Sequence, residues 1–240
     1  GIREMVLIND ATQLEFIDEE GQPPLVWAES GASIGSVSRR TVQRGWSGLE
    51  WASGIPGTVG GSVVNNAGAF GSNIAESLSV AEILHPIEDN ILRSEWSADQ
   101  FDYDYRTSII KTGEKSAVVL SATFQLARST PEAVKQTISA IAEKRQAAQP
   151  GGASLGSMFK NPPGDFAGRL IEAAGLKGTR VGDVEISQQH ANFFINRDEA
   201  TANQVATLIA MVQDRVSEKF GVELELEIQF IGDWNKDNNE

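Results

Sequence analysis

A glycine-rich segment at residues 48–71 constrains the fold more than any other part of the chain. It reads GLEWASGIPGTVGGSVVNNAGAFG, and seven of its 24 residues are glycine. It is too apolar for a flexible linker and too rich in glycine for a regular helix or strand. Glycines allow tight turns and let backbone N–H groups approach an anion such as a pyrophosphate. Two interpretations stay open: a phosphate cradle, or a tight loop packed against a neighbouring helix.

A second unusual stretch, residues 151–163, reads GGASLGSMFKNPP. Its glycine-rich start is followed by Ser157, Lys160 and Asn161, which supply a hydroxyl, an ammonium and a carboxamide. These groups suit proton transfer and the binding of phosphate or sugar oxygens. A plain surface loop is the alternative, because clusters of glycine, serine, proline and asparagine mostly form loops.

Composition excludes several classes of function. The chain of 240 residues has 20 Lys and Arg against 33 Asp and Glu, which gives a net charge of −13 and argues against a nucleic-acid partner. It has no cysteine and two histidines, so we expect no disulfide and no metal site. No apolar run reaches membrane-spanning length. We expect a cytoplasmic protein with no membrane association and no obligate protein partner.

The order of the predicted elements indicates two domains. Strands dominate the first half and helices the second, so we divide the chain into domains at 1–128 and 129–240. Residues 223–231 alternate in polarity and predict a final strand. The simplest interpretation of its glutamates, Glu227 among them, is a solvated strand face. The predicted strands are 25–28, 79–87, 117–126 and 191–196, and the predicted helices are 33–44, 130–148, 166–174 and 198–220.

Arg106 lies in the segment FDYDYRTS, residues 101–108. A guanidinium can bind a carboxylate through two parallel hydrogen bonds. Pairing with Asp102 or Asp104 is an equally good interpretation of the same residues.

Six segments, taken together and in order, resemble the UDP-N-acetylenolpyruvoylglucosamine reductase family, also called UDP-N-acetylmuramate dehydrogenase. The short separation of Arg106 and Ser157 along the chain is similar to the compact subclass of that family. The matching segments are GLEWASGIPGTVGGSVVNNAGAFG (48–71), YRTS (105–108), GSMFKNP (156–162), AGRLIEAAGLKG (167–178), HANFFIN (190–196) and FGVELELEIQFIG (220–232).

The resemblance implies an α+β fold. A partial FAD-binding domain of the vanillyl-alcohol-oxidase-like type would precede an α+β substrate-binding domain. Family members begin with a further region that carries a Gly-Ser-Asn flavin loop. The first residues here look like the middle of the flavin domain, so we expect an N-terminally incomplete member.

The resemblance also implies an activity in peptidoglycan precursor synthesis. NADPH would reduce FAD and depart, and the enolpyruvyl ether of UDP-N-acetylglucosamine would then take a hydride from flavin N5 at its vinyl CH2 carbon. The product would be UDP-N-acetylmuramate.

The functional residues implied by the resemblance fall into three groups. Ser157 matches the proton donor, and Arg106 and Glu227 match the residues that bind and polarise the enolpyruvyl carboxylate. The substrate contacts would be Tyr105, Lys160, Asn161 and His190. The FAD contacts would be Gly54, Ile55, Pro56, Gly57, Thr58, Val59, Gly60, Gly61, Asn66 and Gly68.

Two other hypotheses remain at this stage: a non-catalytic nucleotide-sugar-binding remnant that has lost FAD, and a plain structural domain. Retention of Arg106, Ser157 and Glu227 argues against a pure binding protein. One departure from the family pattern concerns Asp183 and Glu185, since two acids near the phosphates of a UDP-sugar would weaken binding unless they point away.

Overall fold

The computed structural model describes residues 8–88, 90–232 and 234. The chain divides into two compact units, residues 1–143 and 144–240, and each is described by itself. The predicted division after residue 128 stays a prediction.

The first unit combines a five-stranded sheet with short helices. Its elements are β1 (Leu14–Ile17), β2 (Leu25–Glu29), α1 (Ile34–Gln43), β3 (Trp46–Ser47), α2 (Val59–Val64), β4 (Gly68–Ala69), β5 (Ser72–Asn73), β6 (Leu78–Ile87), β7 (Asn90–Ser97), β8 (Val118–Gln125) and β9 (Ala127–Arg128), with 3-10 turns at Glu50–Ala52, Ile74–Glu76 and Ala98–Phe101.

The main sheet has the order β1-β2-β8-β6-β7, and every neighbouring pair is antiparallel. Alternate residues of its strands enter one core, as the period of two in a strand requires. Helices α1 and α2 begin at side-chain caps, where Ser33 Oγ accepts from Ser36 N and Thr58 Oγ1 accepts from Gly61 N. Helix α2 corrects the expectation that the glycine-rich segment contains no regular helix.

Helix α3 (Pro131–Ala148) runs across the boundary of the two units, and Thr130 Oγ1 accepts from Ala133 N at its start. The predicted helix 130–148 is confirmed to within one residue. Within the described part of the chain, no helix has the length and hydropathy needed to cross a membrane.

The second unit packs a four-stranded antiparallel sheet of order β10-β13-β12-β11 with two helices. Leu170 and Ile171 of the first helix share a core with Leu208 and Val212 of the second. Its elements are β10 (Ala153–Ser157), α4 (Ala167–Ala173), β11 (Arg180–Val181), β12 (Val184–Ile186), β13 (Phe193–Asn196) and α5 (Ala202–Phe220). Helices and sheets in both units confirm the α+β class.

The predicted strand at 223–231 is wrong, since this segment forms only one isolated bridge, Phe159 with Leu226. The alternation still predicts three side chains that face the core, since Leu224 is buried and Leu226 and Ile228 pack against the same cluster. Phe230, the next apolar residue of the pattern, is 41% exposed. No ladder forms because the partner of this segment is the short irregular stretch 158–160 and not a strand.

Candidate functional site

Within the first unit, residues from two separate sequence motifs line one cavity of about 580 Å³. The glycine-rich segment contributes Asn66 and Gly68, and the 103–106 loop contributes Tyr105 and Arg106. The structure therefore places two predicted FAD contacts beside two predicted substrate or catalytic residues.

Hydrogen bonds join these two motifs firmly. The carbonyl oxygens at the end of α2 accept from the loop: Val63 O from Tyr103 Oη at 2.8 Å, and Val64 O from Ser108 Oγ at 2.6 Å. Asn66 Nδ2 donates to Asp104 O at 3.1 Å. Burial raises the pKa of Tyr103, so its hydroxyl remains a donor. The 103–108 loop is thus anchored at three points to the glycine-rich segment, at the end of α2 and just after it.

Arg106 has a left-handed backbone, with φ of 57°, which is uncommon for a residue with a side chain. Its guanidinium carbon lies 5.6 Å from the centre of the Tyr105 ring. Tyr105 is 49% exposed, and its backbone N–H donates to Asp104 Oδ1 at 2.7 Å. The unusual conformation at Arg106 requires the surrounding anchors and orients the side chain at the cavity.

The glycines at 54–61 serve two different purposes. A Cβ at Gly60 would lie 2.9 Å from Ser30 Cβ, so this glycine permits close packing. Gly57 has φ of +124° and nothing within 4 Å of a Cβ, so it serves the turn itself. Among the described residues, no acceptor takes the N–H groups of Gly57 or Thr58, and both residues are exposed.

N–H donors on an exposed glycine turn fit a pyrophosphate, which needs donors and little steric bulk. The residues of the first unit are therefore compatible with FAD. The other predicted contacts in the loop, Gly54, Ile55, Pro56, Val59 and Gly61, lie in the same turn and the start of α2.

In the second unit, Ser157 ends β10 directly after a β-bulge. The pairing of β10 with β13 shifts register between Ser154 and Ser157, and Gly156 has φ of +82°. A bulge redirects the side chain that follows it. Ser157 is half-buried and pairs with Phe193. The stretch that composition assigned to a loop is thus an edge strand whose irregularity orients the serine.

The segment after Ser157 lies between β13 and the C-terminal stretch. Met158 N donates to Asn192 O at 2.9 Å on one side, while Met158 O accepts from Glu227 N at 2.9 Å on the other. Phe159 pairs with Leu226. Glu227 is half-buried, and its backbone is one hydrogen bond away from the residue that follows Ser157. The structure therefore places two of the three predicted catalytic residues on adjacent segments, whereas Arg106 belongs to the other unit.

Lys160 and Asn161 have partners of their own in the second unit. Lys160 Nζ lies 2.5 Å from Glu225 Oε1, and its side chain is 16% exposed while that of Glu225 is 73% exposed. Asn161 Oδ1 accepts from Ala167 N at 3.1 Å, at the start of α4. Lys160 is therefore fixed by an ion pair, and Asn161 ties the loop to a helix end.

His190 is half-buried against Phe193, with ring centroids 4.9 Å apart. Its Nδ1 accepts from Asn192 N at 3.2 Å, which places the ring proton on Nε2. Burial lowers the pKa of His190, and the charge of Lys177 lowers it further, while its own backbone hydrogen bond and Glu172 oppose the shift. The ring is therefore neutral at physiological pH.

Asn192 is the residue that sequence reasoning missed. It is 3% exposed, and its side chain bonds both peptide groups of Phe159. It lies within the segment HANFFIN, but an asparagine before an apolar strand usually indicates a turn or a cap. Only its complete burial distinguishes it, and burial is not visible in the sequence.

The two acids that depart from the family pattern are paired. Glu185 accepts from Arg197 Nη2 at 2.8 Å, with the Arg180 guanidinium 3.9 Å away, and the Arg197 hydrogen bond lowers the pKa of Glu185. Asp183 lies 3.7 Å from Arg180. Arginines of the same hairpin and of the end of β13 thus compensate these charges.

Comparison with known proteins defines the class first. Residues 4–85 match an FAD binding domain, and residues 146–231 match the C-terminal domain of UDP-N-acetylenolpyruvoylglucosamine reductase. The chain is therefore an oxidoreductase with an FAD-binding domain followed by an α+β domain, which confirms the predicted fold class.

Individual proteins give the particular family. UDP-N-acetylenolpyruvoylglucosamine reductase of Chloroflexus aurantiacus is 45% identical over 89% of this chain and 72% of its own length. The Latilactobacillus sakei enzyme of the same name is 40% identical over 97% of this chain and 74% of its own. The crystal structure of the Thermus caldophilus enzyme superposes with a TM-score of 0.73 at 34% identity, covering 85% of this chain and 71% of that one. The chain belongs to the UDP-N-acetylenolpyruvoylglucosamine reductase family.

Proposed function

We propose that this protein reduces the enolpyruvyl ether of UDP-N-acetylglucosamine to UDP-N-acetylmuramate in peptidoglycan precursor synthesis, with FAD as cofactor and NADPH as reductant. Family membership supports the reaction. The observation that carries the proposal for this chain is the contact of the Ser157 and Glu227 segments, through the hydrogen bond from Glu227 N to Met158 O at 2.9 Å. No comparison favours the alternative of a binding remnant without FAD.

FAD, when bound, supplies the hydride that adds to the terminal vinyl carbon. The N–H groups of the exposed residues Gly57 and Thr58 would hold its pyrophosphate. Asn66 and Gly68 would contact it from the cavity that they line.

Arg106 would bind the substrate carboxylate. Hydride addition to an enol ether builds negative charge toward that carboxylate, and a fixed guanidinium stabilises the charge as it forms. The three anchors of the 103–108 loop support this role, since they fix the arginine before substrate arrives.

Ser157 would complete the reduction by proton transfer. Its O–H bond breaks as a C–H bond forms at the carbon next to the site of hydride addition, and the serine oxygen later regains a proton from water. A hydroxyl is a weak acid, so this step requires a strongly basic carbon held in contact with it. The bulge at Gly156 supports the assignment because it sets the direction of the Ser157 side chain.

Glu227 would share the developing charge on the carboxylate side through a hydrogen bond of its carboxyl group. Its half-buried position beside the Ser157 segment supports this. Tyr105, Lys160, Asn161 and His190 would contact the rest of the substrate. Lys160 must then exchange its Glu225 partner for a phosphate oxygen.

We further propose that the reaction takes place in the cytoplasm, which the absence of cysteine supports.

The experiment uses the purified protein loaded with FAD under anaerobic conditions. NADPH should bleach the visible flavin absorbance, and the enolpyruvyl ether should restore it with formation of UDP-N-acetylmuramate. UDP-N-acetylglucosamine is the matched control, since it lacks the vinyl group and should leave the reduced spectrum unchanged. The proposal would be contradicted if the protein takes up FAD but the enolpyruvyl ether does not reoxidise the reduced flavin.

A further inference from the structure

We propose that Asn192 is a positioning residue for the catalytic segment 157–160, and that its carboxamide substitutes for a missing backbone pairing partner. The inference deepens the proposed function and rests on it. It begins from a geometric fact: strand β13 starts at Phe193, yet the segment opposite continues past Ser157 to Phe159 and Lys160.

The carboxamide of Asn192 takes both polar backbone groups of Phe159. Its Oδ1 accepts from Phe159 N at 3.0 Å, and its Nδ2 donates to Phe159 O at 2.8 Å. This is the donor and acceptor pair that the backbone of an opposite residue would provide in an antiparallel ladder. The side chain of Asn192 therefore extends β13 by one further pairing step.

The residues around Phe159 make its pairing with Asn192 important for the position of segment 157–160. Phe159 is 1% exposed, so its peptide groups have no access to water and need a protein partner. On the other side, Met158 O and Lys160 N are bonded to Glu227 N and Glu225 O at 2.9 and 2.8 Å. Loss of the carboxamide would remove both bonds to Phe159 and leave the bond from Met158 N to Asn192 O as a remaining link between the segment and β13.

A change in the position of Phe159 would affect Ser157 and Lys160, because only a short length of backbone separates them from it. Ser157 precedes Phe159 by two residues, and Lys160 follows it directly. A shift of Phe159 would therefore move both the proton donor and the ammonium that we assign to the substrate. A displacement of about 1 Å at reacting groups can slow a step by about a hundredfold.

The test uses Asn192→Asp and Asn192→Ala in the full chain loaded with FAD. A carboxylate at 192 still accepts from Phe159 N but repels Phe159 O, whereas a protonated carboxyl can both accept and donate. Burial raises the pKa of such a carboxyl, so acidification should restore the lost donor. Alanine offers neither group at any pH.

Titratable groups already present must be separated from the new carboxyl. His190 faces Asn192 through the bond from Asn192 N, and Lys160, Glu225 and Glu227 lie on the segments packed around Phe159. They are the same in the wild type and both variants. The rate of each variant is therefore divided by the wild-type rate at the same pH.

We expect Asn192→Asp to reduce the enolpyruvyl ether about a hundredfold more slowly than the wild type at about pH 8, and to recover most of the difference by about pH 6. Asn192→Ala should be slowed to a similar extent at both values. Reduction of the flavin by NADPH should be unchanged in both variants, since the roles that we assign to Ser157 and Lys160 belong to the reduction of the substrate.

A readout independent of activity is the free energy of unfolding. Relative to the wild type, that of Asn192→Asp should rise as the pH falls, because the protonated carboxyl restores the bond to Phe159 O. Asn196→Asp is the matched control on the same strand. Asn196 Oδ1 only accepts, from the N–H groups of Asp198 and Ala200, so a carboxylate replaces it and wild-type kinetics are expected.

The outcomes separate the two proposals. Wild-type protein that fails to reduce the enolpyruvyl ether overturns the proposed function. If the wild type is active, three results would overturn the positioning role. The variants could reduce the substrate as fast as the wild type at every pH, or both half-reactions could be slowed equally. The third result is an Asn192→Asp variant whose rate of substrate reduction does not recover on acidification. Should Asn192→Asp fail to fold, the comparison of the two half-reactions in Asn192→Ala decides alone.

Discussion

At the scale of single residues, His190 shows how one hydrogen bond fixes a charge state. Its Nδ1 accepts from Asn192 N, and a proton on that nitrogen would remove the acceptor. Burial lowers its pKa, so the folded protein holds the neutral ring while the unfolded chain titrates near the ordinary value of about 6.5. Below that value the unfolded chain binds more protons than the folded one.

We therefore expect His190 to make stability fall as the pH falls. Its contribution is fully present above the pKa of the unfolded chain and is lost as the pH drops through the lower, folded pKa. Urea unfolding at about pH 7.5 and about pH 5.5 should show a larger loss in the wild type than in His190→Asn, whose amide oxygen can still accept from Asn192 N without titrating. If the free energy of unfolding fell equally in the wild type and in His190→Asn, the role of His190 in this pH dependence would be contradicted.

Sequence patterns predict residue types better than residue partners. The resemblance named Lys160 and Asn161, but neither the Lys160–Glu225 ion pair nor the bond of Asn161 to the start of α4 follows from their positions in the chain. Glu225 alternates with apolar residues, and that pattern predicts only a solvated carboxylate. Partners that lie far apart along the chain depend on packing, which one sequence does not reveal.

At the scale of elements, the ends of helices follow local chemistry. The predicted helix 198–220 begins later, at Ala202, because Asn196 Oδ1 takes the N–H groups of Asp198 and Ala200 into a turn. A capping box of Thr201 and Gln204 then starts the helix.

Strand β10 is not predicted from the sequence, for a different reason. Its glycines and serines indicate a loop, and only pairing with β13 makes it a strand.

The bulge before Ser157 gives a prediction at this scale. Gly156→Ala has open space around the new Cβ but would be held at φ of +82°, a conformation unfavourable for alanine by about 1–2 kcal/mol. We expect a loss of that order in the free energy of unfolding, with substrate reduction slowed and flavin reduction by NADPH unchanged.

Gly151→Ala is the matched control for the bulge. A Cβ there also meets nothing within 4 Å, and no left-handed backbone is required. Denaturant unfolding and stopped-flow kinetics should leave this control close to the wild type. Similar effects of the two substitutions would show that the bulge does not orient Ser157.

At the scale of the whole molecule, recognition of the family depended on several motifs and not on any one. The glycine-rich segment, the YRTS loop and the C-terminal stretch each allow a bland interpretation. Their common order along the chain predicted the α+β fold and the FAD-binding class, and the comparisons confirm both. We predict, in addition, that Arg106 of the first unit acts on the same substrate as Ser157 and Glu227 of the second.

The measurement that tests the central claim most directly is stopped-flow analysis of Ser157→Ala in both half-reactions. Loss of a positioned general acid typically slows a step by about 10²–10⁴-fold. We expect that loss in the reduction of the enolpyruvyl ether, with the reduction of the flavin by NADPH almost unchanged. Equal slowing of both half-reactions, or none in either, would contradict the role of Ser157 as proton donor.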